Sequence, residues 1–170
     1  RGEEGTKVTV SVRRATGGYT YVLERKYIDI SNFSSRVLED GIYYMKWTRF
    51  AETTSYLQFV FAIKDLVENQ CGVLILDLRG NPGGSLDAVV KIARKLLPEG
   101  MIVYTEDKAG KRTEYTCDGK TPLEVPLVVL VDMYSASASA ILAGAIQDYG
   151  VGTLVGTTTF GKGIVQQIMP

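Results

Sequence analysis

The sequence contains no histidine, and this absence excludes a large part of known enzyme chemistry. A serine or cysteine nucleophile activated by imidazole needs histidine, and so do the usual zinc sites. An enzyme built from this chain therefore needs another base. Lysine is the established alternative, provided that burial lowers the pKa of the amine enough to leave part of it neutral.

Cysteine, long apolar runs and excess charge are also scarce. The two cysteines, Cys71 and Cys117, fit neither a CxxC motif nor a disulfide framework, so we predict two free thiols. No apolar run reaches the length needed to span a membrane. Basic and acidic residues number 19 each, so the net charge gives no reason to expect nucleic acid as a partner.

The 170 residues are 45% hydrophobic, which is enough for one compact domain with its own core. Because the sequence starts at Arg1 without methionine, we expect it to be part of a longer chain.

Apolar periodicity predicts an α/β fold with a mixed β-sheet core flanked by helices. Strands are predicted at 6–13, 19–24, 41–47, 72–78, 101–105, 113–117, 127–131, 151–155 and 164–168, and helices at 53–69, 85–97 and 138–149. The run 72–78 is a continuous apolar strand, of the type buried on both faces of a parallel sheet. In the first helix, we expect the apolar side chains to face the core, namely Leu57, Phe61, Ile63, Leu66 and Val67.

A strand changes abruptly into a helix after Val131, through a stretch of small residues that holds Ser135, Ser137 and Ser139. Such a junction exposes a hydroxyl and backbone N–H groups at a helix N-terminus, where negative charge is stabilised. It is a suitable place to stabilise an oxyanion. The same serines also fit the role of simple N-cap residues, and that alternative stays open.

Two further segments are rich in glycine. The loop 80–84 links a strand to a helix and matches neither nucleotide-binding pattern, GxGxxG or GxxxxGK[ST], so it is either a tight turn or part of a site. Together with the serine junction, it could direct two backbone donors at one substrate carbonyl. Lys162 lies between two glycines, which permit close backbone approach. It is either a solvated loop residue or a positioned base.

These motifs, at 76–84, 135–139, 143–150 and 159–166, resemble in content and order the C-terminal processing peptidases, or tail-specific proteases. Members of that family are serine peptidases with a Ser/Lys dyad. The resemblance implies that Ser137 is the nucleophile, that Lys162 is the general base and that Gln166 orients the lysine. It also implies an oxyanion hole formed by the backbone N–H groups of Gly83 and Ala138.

The resemblance also implies a fold and a domain organisation. The family fold is an α/β protease core related to ClpP and crotonase, and its members carry a PDZ domain. We expect residues 1–14 to be the terminal strand of a truncated PDZ domain and 15–170 to be a peptidase core that is truncated at its C-terminal end.

The partner implied by the family is a protein or peptide substrate with an apolar C-terminus, with no metal or cofactor and no nucleic acid. Homo-oligomerisation stays open, and membrane association would require segments outside this sequence. The resemblance to the family also implies an extracytoplasmic, periplasmic or cell-envelope location.

Ala140 departs from the family pattern, which usually has glutamate after the third serine. A carboxylate there would favour the helix dipole by about 0.3 to 1 kcal/mol. Two alternatives to a peptidase stay open: a catalytically inactive peptide-binding or scaffold module of the same fold, and a crotonase-like acyl-CoA enzyme.

Overall fold

A computed structural model describes residues 2–27, 31–120 and 122–166 of the chain. The chain divides into two compact units, Arg1–Ser31 and Asn32–Pro170. No helix in the described residues is both long and apolar enough to span a membrane.

The first unit is built on an antiparallel hairpin of two strands, β1 (Lys7–Arg14) and β2 (Gly17–Glu24), whose register runs from Lys7 opposite Glu24 to Arg14 opposite Gly17. Both strands were predicted from their alternation. The boundary expected after Arg14 falls inside this hairpin, whereas the compact units divide at Ser31. Assignment of this region to a PDZ domain stays a prediction.

The second unit is organised around a five-stranded sheet with the order β3-β4-β5-β8-β9. Its strands are β3 (Phe33–Val37), β4 (Ile42–Trp47), β5 (Val73–Asp77), β8 (Leu127–Val131) and β9 (Thr153–Gly156). The last four are parallel to one another, and β3 pairs antiparallel to β4 at the edge. The predicted mixed sheet is confirmed, although β3 was not predicted.

Three helices connect the parallel strands: α1 (Ser55–Glu68), α2 (Leu86–Ala93) and α3 (Ala138–Asp148). Helix α2 contacts both α1 and α3. An antiparallel hairpin, β6 (Gly100–Glu106) and β7 (Arg112–Cys117), lies between α2 and β8 in the chain. Because parallel strands end at the same edge of a sheet, the loops after β5 and β8 emerge side by side.

The core contains a cluster of aromatic rings around Trp47. The ring centroid of Trp47 lies 4.6 Å from that of Phe33, 5.6 Å from that of Phe50 and 6.3 Å from that of Phe59. Trp47 has no exposed surface, and Phe50 and Phe59 are each 1% exposed. This packing anchors the end of β4 and the start of α1 to each other.

The face that α1 turns to the core agrees with the predicted one only in part. Of the five predicted positions, Leu66 is buried and Ile63 packs half-buried against the core, whereas Leu57, Phe61 and Val67 are exposed. The other buried positions are Ser55, Phe59 and Ala62. The helix carries two apolar stripes, and the buried stripe includes the small residues Ser55 and Ala62. Small side chains permit a close approach to the sheet, and periodicity could not choose between the two stripes.

Two more expectations need correction. The positions Val73 and Ile75 of β5 are only half-buried, so this strand is not buried on both faces. The segment expected to form a strand at 164–168 is not a strand over 164–166, and its last two residues lie outside the described part. Cys71 and Cys117 are free, as predicted, and both are buried.

Candidate active site

Two turns meet at the carboxyl ends of β5 and β8. The Leu78 N–H donates to Leu130 O at 2.9 Å, and the Ala136 N–H donates to Asn81 O at 3.0 Å. These bonds extend the pairing of the strands into the loops that follow them. The glycine loop and the serine junction, widely separated in sequence, therefore form one structure.

Asp132 joins the same two turns through its side chain. Its Oδ1 accepts hydrogen bonds from the N–H groups of Gly80 at 3.0 Å, Tyr134 at 3.0 Å and Ser135 at 3.1 Å. The bond from Gly80 is the main cause that lowers the pKa of Asp132, because a carboxylate that accepts backbone N–H bonds is stabilised in its charged form. Sequence reasoning missed this residue, although an aspartate just after a strand is a typical turn former.

The three serines of the junction have different environments. Ser135 Oγ donates to Leu78 O at 2.8 Å and Ser139 Oγ donates to Asn81 O at 3.1 Å, and neither serine has exposed surface. Ser137 is half-buried, and its hydroxyl forms no hydrogen bond within the described residues. Two of the serines therefore support the turn, and the third is accessible.

The backbone of Ser137 is unusual. Its φ of 55° and ψ of −119° lie in a region that side-chain-bearing residues rarely adopt. Strained backbone of this kind costs about 1 to 3 kcal/mol and persists only where the surroundings impose it. It places Ser137 as the N-cap of α3, immediately before Ala138. Because Ala138 is the first residue of α3, its N–H has no acceptor within the helix.

Gly83 packs directly against this serine. A Cβ on Gly83 would lie 2.7 Å from Ala136 O and 2.8 Å from Ser137 Cβ, and the φ of Gly83 is 104°. Only glycine permits this approach. Its N–H donates to Asn81 Oδ1 at 2.9 Å, so one of the two expected oxyanion donors already has an acceptor.

Asn81 is the central residue of this arrangement. It has no exposed surface, its carbonyl accepts from Ala136 N and Ser139 Oγ, and its Oδ1 accepts from Gly83 N. Its Nδ2 has no partner within the described residues, although it is buried. Sequence reasoning treated this asparagine only as part of a turn.

A cavity of about 270 Å³ opens beside Ser137. It is lined by Arg49, Pro82, Gly83, Gly84, Ser137, Lys162, Ile164, Val165 and Gln166. Four of the five residues predicted for the site, all except Ala138, therefore line one space. No hydrogen bond joins Ser137 to Lys162 within the described residues, and both Lys162 and Gln166 are exposed. The burial expected of a lysine base is therefore not present in this structure.

The segment that carries Lys162 is held beside the serine turn by backbone contacts. The Thr157 N–H donates to Val131 O at 3.2 Å, and the Phe160 N–H donates to Ser135 O at 3.0 Å. Residues 161–166 are irregular, so Lys162 and Gln166 are not placed side by side by a strand. The cavity brings them together instead.

A buried carboxylate, that of Asp77, ends β5 beneath these turns. Tyr44 donates to it at 2.6 Å, and Arg79 donates two bonds, from Nε at 2.9 Å and from Nη2 at 2.8 Å. Burial works to raise the pKa of Asp77, but the hydrogen bonds from Arg79 and Tyr44 outweigh it and lower the pKa to about 2. The carboxylate is therefore charged and anchors the start of the glycine loop.

The model of peptidase family S41 matches residues 27–170. The chain is 39% identical over 175 residues to the carboxyl-terminal-processing protease of Synechocystis, with 99% of this chain and 40% of the relative covered. It is 34% identical over 168 residues to the carboxy-terminal processing protease CtpA of Bacillus subtilis, with 98% of this chain and 36% of the relative covered.

A solved structure of a photosystem II D1 C-terminal processing protease superposes with a TM-score of 0.75 at 30% identity, covering 98% of this chain and 47% of that one. The chain spans about two fifths of the length of the curated relatives it matches. The expected family resemblance is confirmed, as is the α/β fold of its members. The chain belongs to peptidase family S41.

Proposed function

We propose that this chain is the core of a serine peptidase that cleaves protein substrates near their C-termini through Ser137 and Lys162. The observation that carries the proposal is that Ser137, strained at the N-cap of α3, shares one cavity with Lys162 and Gly83. The names of the relatives support the reaction class, and the pairing of serine with lysine suits a chain without histidine.

In the proposed reaction, Ser137 Oγ attacks the carbonyl carbon of the scissile peptide while Lys162 Nζ, in its neutral form, takes the hydroxyl proton. The resulting oxyanion accepts hydrogen bonds from the N–H groups of Ala138 and Gly83. The C–N bond then breaks, and Lys162 returns the proton to the leaving amine. Water attacks the acyl-enzyme, again through Lys162, and releases the new C-terminus.

Two changes of geometry accompany this reaction. The Gly83 N–H, which donates to Asn81 Oδ1, must turn to the oxyanion or donate to both acceptors. Lys162 Nζ must come within about 3.2 Å of Ser137 Oγ. In the proposal, Gln166, which lines the same cavity, orients Lys162. Hydrogen bonds of resting enzymes are often longer than those of the reacting complex.

A fluorophosphonate probe followed by peptide mapping tests the nucleophile without a mutation. We expect a single modified serine, Ser137, because Ser135 and Ser139 are buried and their hydroxyls donate to backbone carbonyls. Modification of either buried serine would reassign the nucleophile. A protein that binds peptides but resists both the probe and turnover would instead be the inactive peptide-binding module.

The proposal keeps the expectation of a substrate with an apolar C-terminus and of an extracytoplasmic or cell-envelope location. Fractionation of cells that produce the protein tests the location, and recovery in the cytosol would contradict it.

A further inference from the structure

We propose that Arg49 is a specificity-determining residue that binds a carboxylate of the substrate beside the scissile bond. The inference rests on the proposed peptidase function and adds a substrate class to it. Arg49 lines the same cavity as Ser137 and Lys162.

The backbone next to Arg49 is fixed against the glycine loop. The Phe50 N–H donates to Gly83 O at 2.9 Å, and the Ser85 N–H donates to Phe50 O at 2.9 Å. These two bonds form a parallel bridge between Phe50 and Gly84, and the Phe50 ring is buried against Trp47. Arg49 directly precedes Phe50 in the chain, so its Cα is held beside the glycine loop. That loop carries the Gly83 N–H, a proposed oxyanion donor.

The guanidinium of Arg49 has no structural partner in the part of the chain that the structure describes. Arg49 is exposed and forms no hydrogen bond or ion pair within the described residues, and Glu52, three positions later, does not pair with it. By contrast, Arg79 is bound to Asp77 and Arg112 to Glu106. A free guanidinium has five donors suited to bidentate binding of a carboxylate.

The charge of the cavity favours an anionic group. Its charged side chains are those of Arg49 and Lys162, and no carboxylate lies among the described residues that line it. The chain as a whole has zero net charge, so this positive character is local. Of these two residues, Lys162 already has a role in the proposed reaction and Arg49 does not. The group that Arg49 binds is an Asp or Glu side chain of the substrate or the free C-terminal carboxylate.

The test compares matched peptides that carry Glu or Gln at each of the three positions on either side of the scissile bond, each with a free or an amidated C-terminus. We expect kcat/KM to favour Glu at one or two positions by about 1.5-fold to fivefold. The Arg49→Gln variant should lose this ratio, and Arg49→Glu should reverse it. Lys108→Gln removes one exposed positive charge from the β6–β7 turn and should keep the wild-type ratio.

Salt supplies a second readout, because an exposed ion pair is screened. The Debye length is roughly 10 Å at 0.1 M salt and shortens as the concentration rises. The Glu/Gln ratio of the wild type should therefore shrink between about 0.05 and 0.5 M NaCl. The amidated peptides identify the source of the carboxylate. A preference that depends only on the free C-terminus assigns Arg49 to the terminal carboxylate, and one that survives amidation assigns it to a side chain.

Failure of this inference is distinguishable from failure of the peptidase proposal. Peptide binding to Ser137→Ala, followed by fluorescence anisotropy with and without Arg49→Gln, reports the carboxylate preference without turnover. A wild type that cleaves nothing would overturn the peptidase proposal, and the binding comparison would still decide the role of Arg49. If wild type and Arg49→Gln have equal Glu/Gln ratios and also equal ratios of free to amidated peptide, in both cleavage and binding, the inference is overturned.

Discussion

The N–H of Gly83 donates a hydrogen bond of 2.9 Å to Asn81 Oδ1, two residues earlier in the same loop. Asn81 also accepts from Ala136 and Ser139 through its carbonyl, so one buried side chain and its backbone connect the glycine loop to the serine turn. The position of a proposed oxyanion donor is thereby tied to the position of the candidate nucleophile. Changes in the glycine loop are expected to disturb both.

Replacement of Gly83 by alanine tests this close contact. The new Cβ would lie 2.7 Å from Ala136 O and 2.8 Å from Ser137 Cβ, so the serine turn must shift. Gly80→Ala is a matched control, because Gly80 also has a positive φ, of 71°, but a Cβ there meets nothing within 4 Å. We expect Gly83→Ala to lower the free energy of unfolding by about 1 to 3 kcal/mol more than Gly80→Ala. Urea denaturation measures both, and equal losses would contradict the contact.

Loss of the proposed base is the second prediction. Lys162→Ala should reduce kcat by about 10² to 10⁴, the range typical of general bases. Because Lys162 is exposed and forms no polar contact within the described residues, its removal should change the free energy of unfolding by less than about 0.5 kcal/mol. Lys108→Ala, which also removes an exposed lysine, should keep full activity. Full activity of Lys162→Ala would exclude the proposed dyad.

Asp77 is expected to make stability depend on acid pH. Its pKa is lowered from 3.8 to about 2 in the folded protein, so its stabilising contribution is present above pH 4 and is lost as the pH falls through 2. The difference in the free energy of unfolding between wild type and Asp77→Asn should therefore shrink by about 2 kcal/mol between pH 6 and pH 2.

An exposed aspartate provides the comparison for Asp77. Asp87 pairs with Lys91 at 2.7 Å on the surface of α2, where an ion pair contributes little to stability. The Asp87→Asn difference should stay nearly constant over the same pH range. If the two differences have the same pH profile in urea titrations, then the bonds from Arg79 and Tyr44 do not stabilise the charged form of Asp77.

Two phenylalanines of α1, two residues apart, test which face of the helix is buried. Phe59 is 1% exposed and Phe61 is 69% exposed. Phe59→Ala should cost about 3 to 5 kcal/mol, because it leaves a cavity beside Trp47, and Phe61→Ala should cost less than about 1 kcal/mol. Thermal unfolding of the two variants decides the matter. A larger loss for Phe61→Ala would mean that the predicted face packs against the protein after all.

Sequence reasoning predicted the elements of the fold more reliably than their packing. The strands around Val73 to Asp77 and Leu127 to Val131 were identified because strongly apolar, β-branched runs have few alternatives. The strand Phe33–Val37 was missed because serine and arginine occupy its centre. It is an edge strand paired to β4, and pairing with a neighbour, rather than its own composition, makes it a strand.

The sequence by itself determined the chemistry available to this protein. The absence of histidine makes lysine the proposed base, and motif order identifies the family and the loops that carry Ser137 and Lys162. These conclusions depend only on residue types and their spacing, which the sequence states directly.

Only the tertiary structure decided which of the three serines is accessible, that Asn81 holds the Gly83 N–H, and that Arg49 lines the cavity. Each depends on contacts between residues far apart in the chain, from β4 through the serine turn to the segment after β9. Such contacts are set by the parallel pairing of β5 with β8 and by close packing, neither of which local sequence patterns encode.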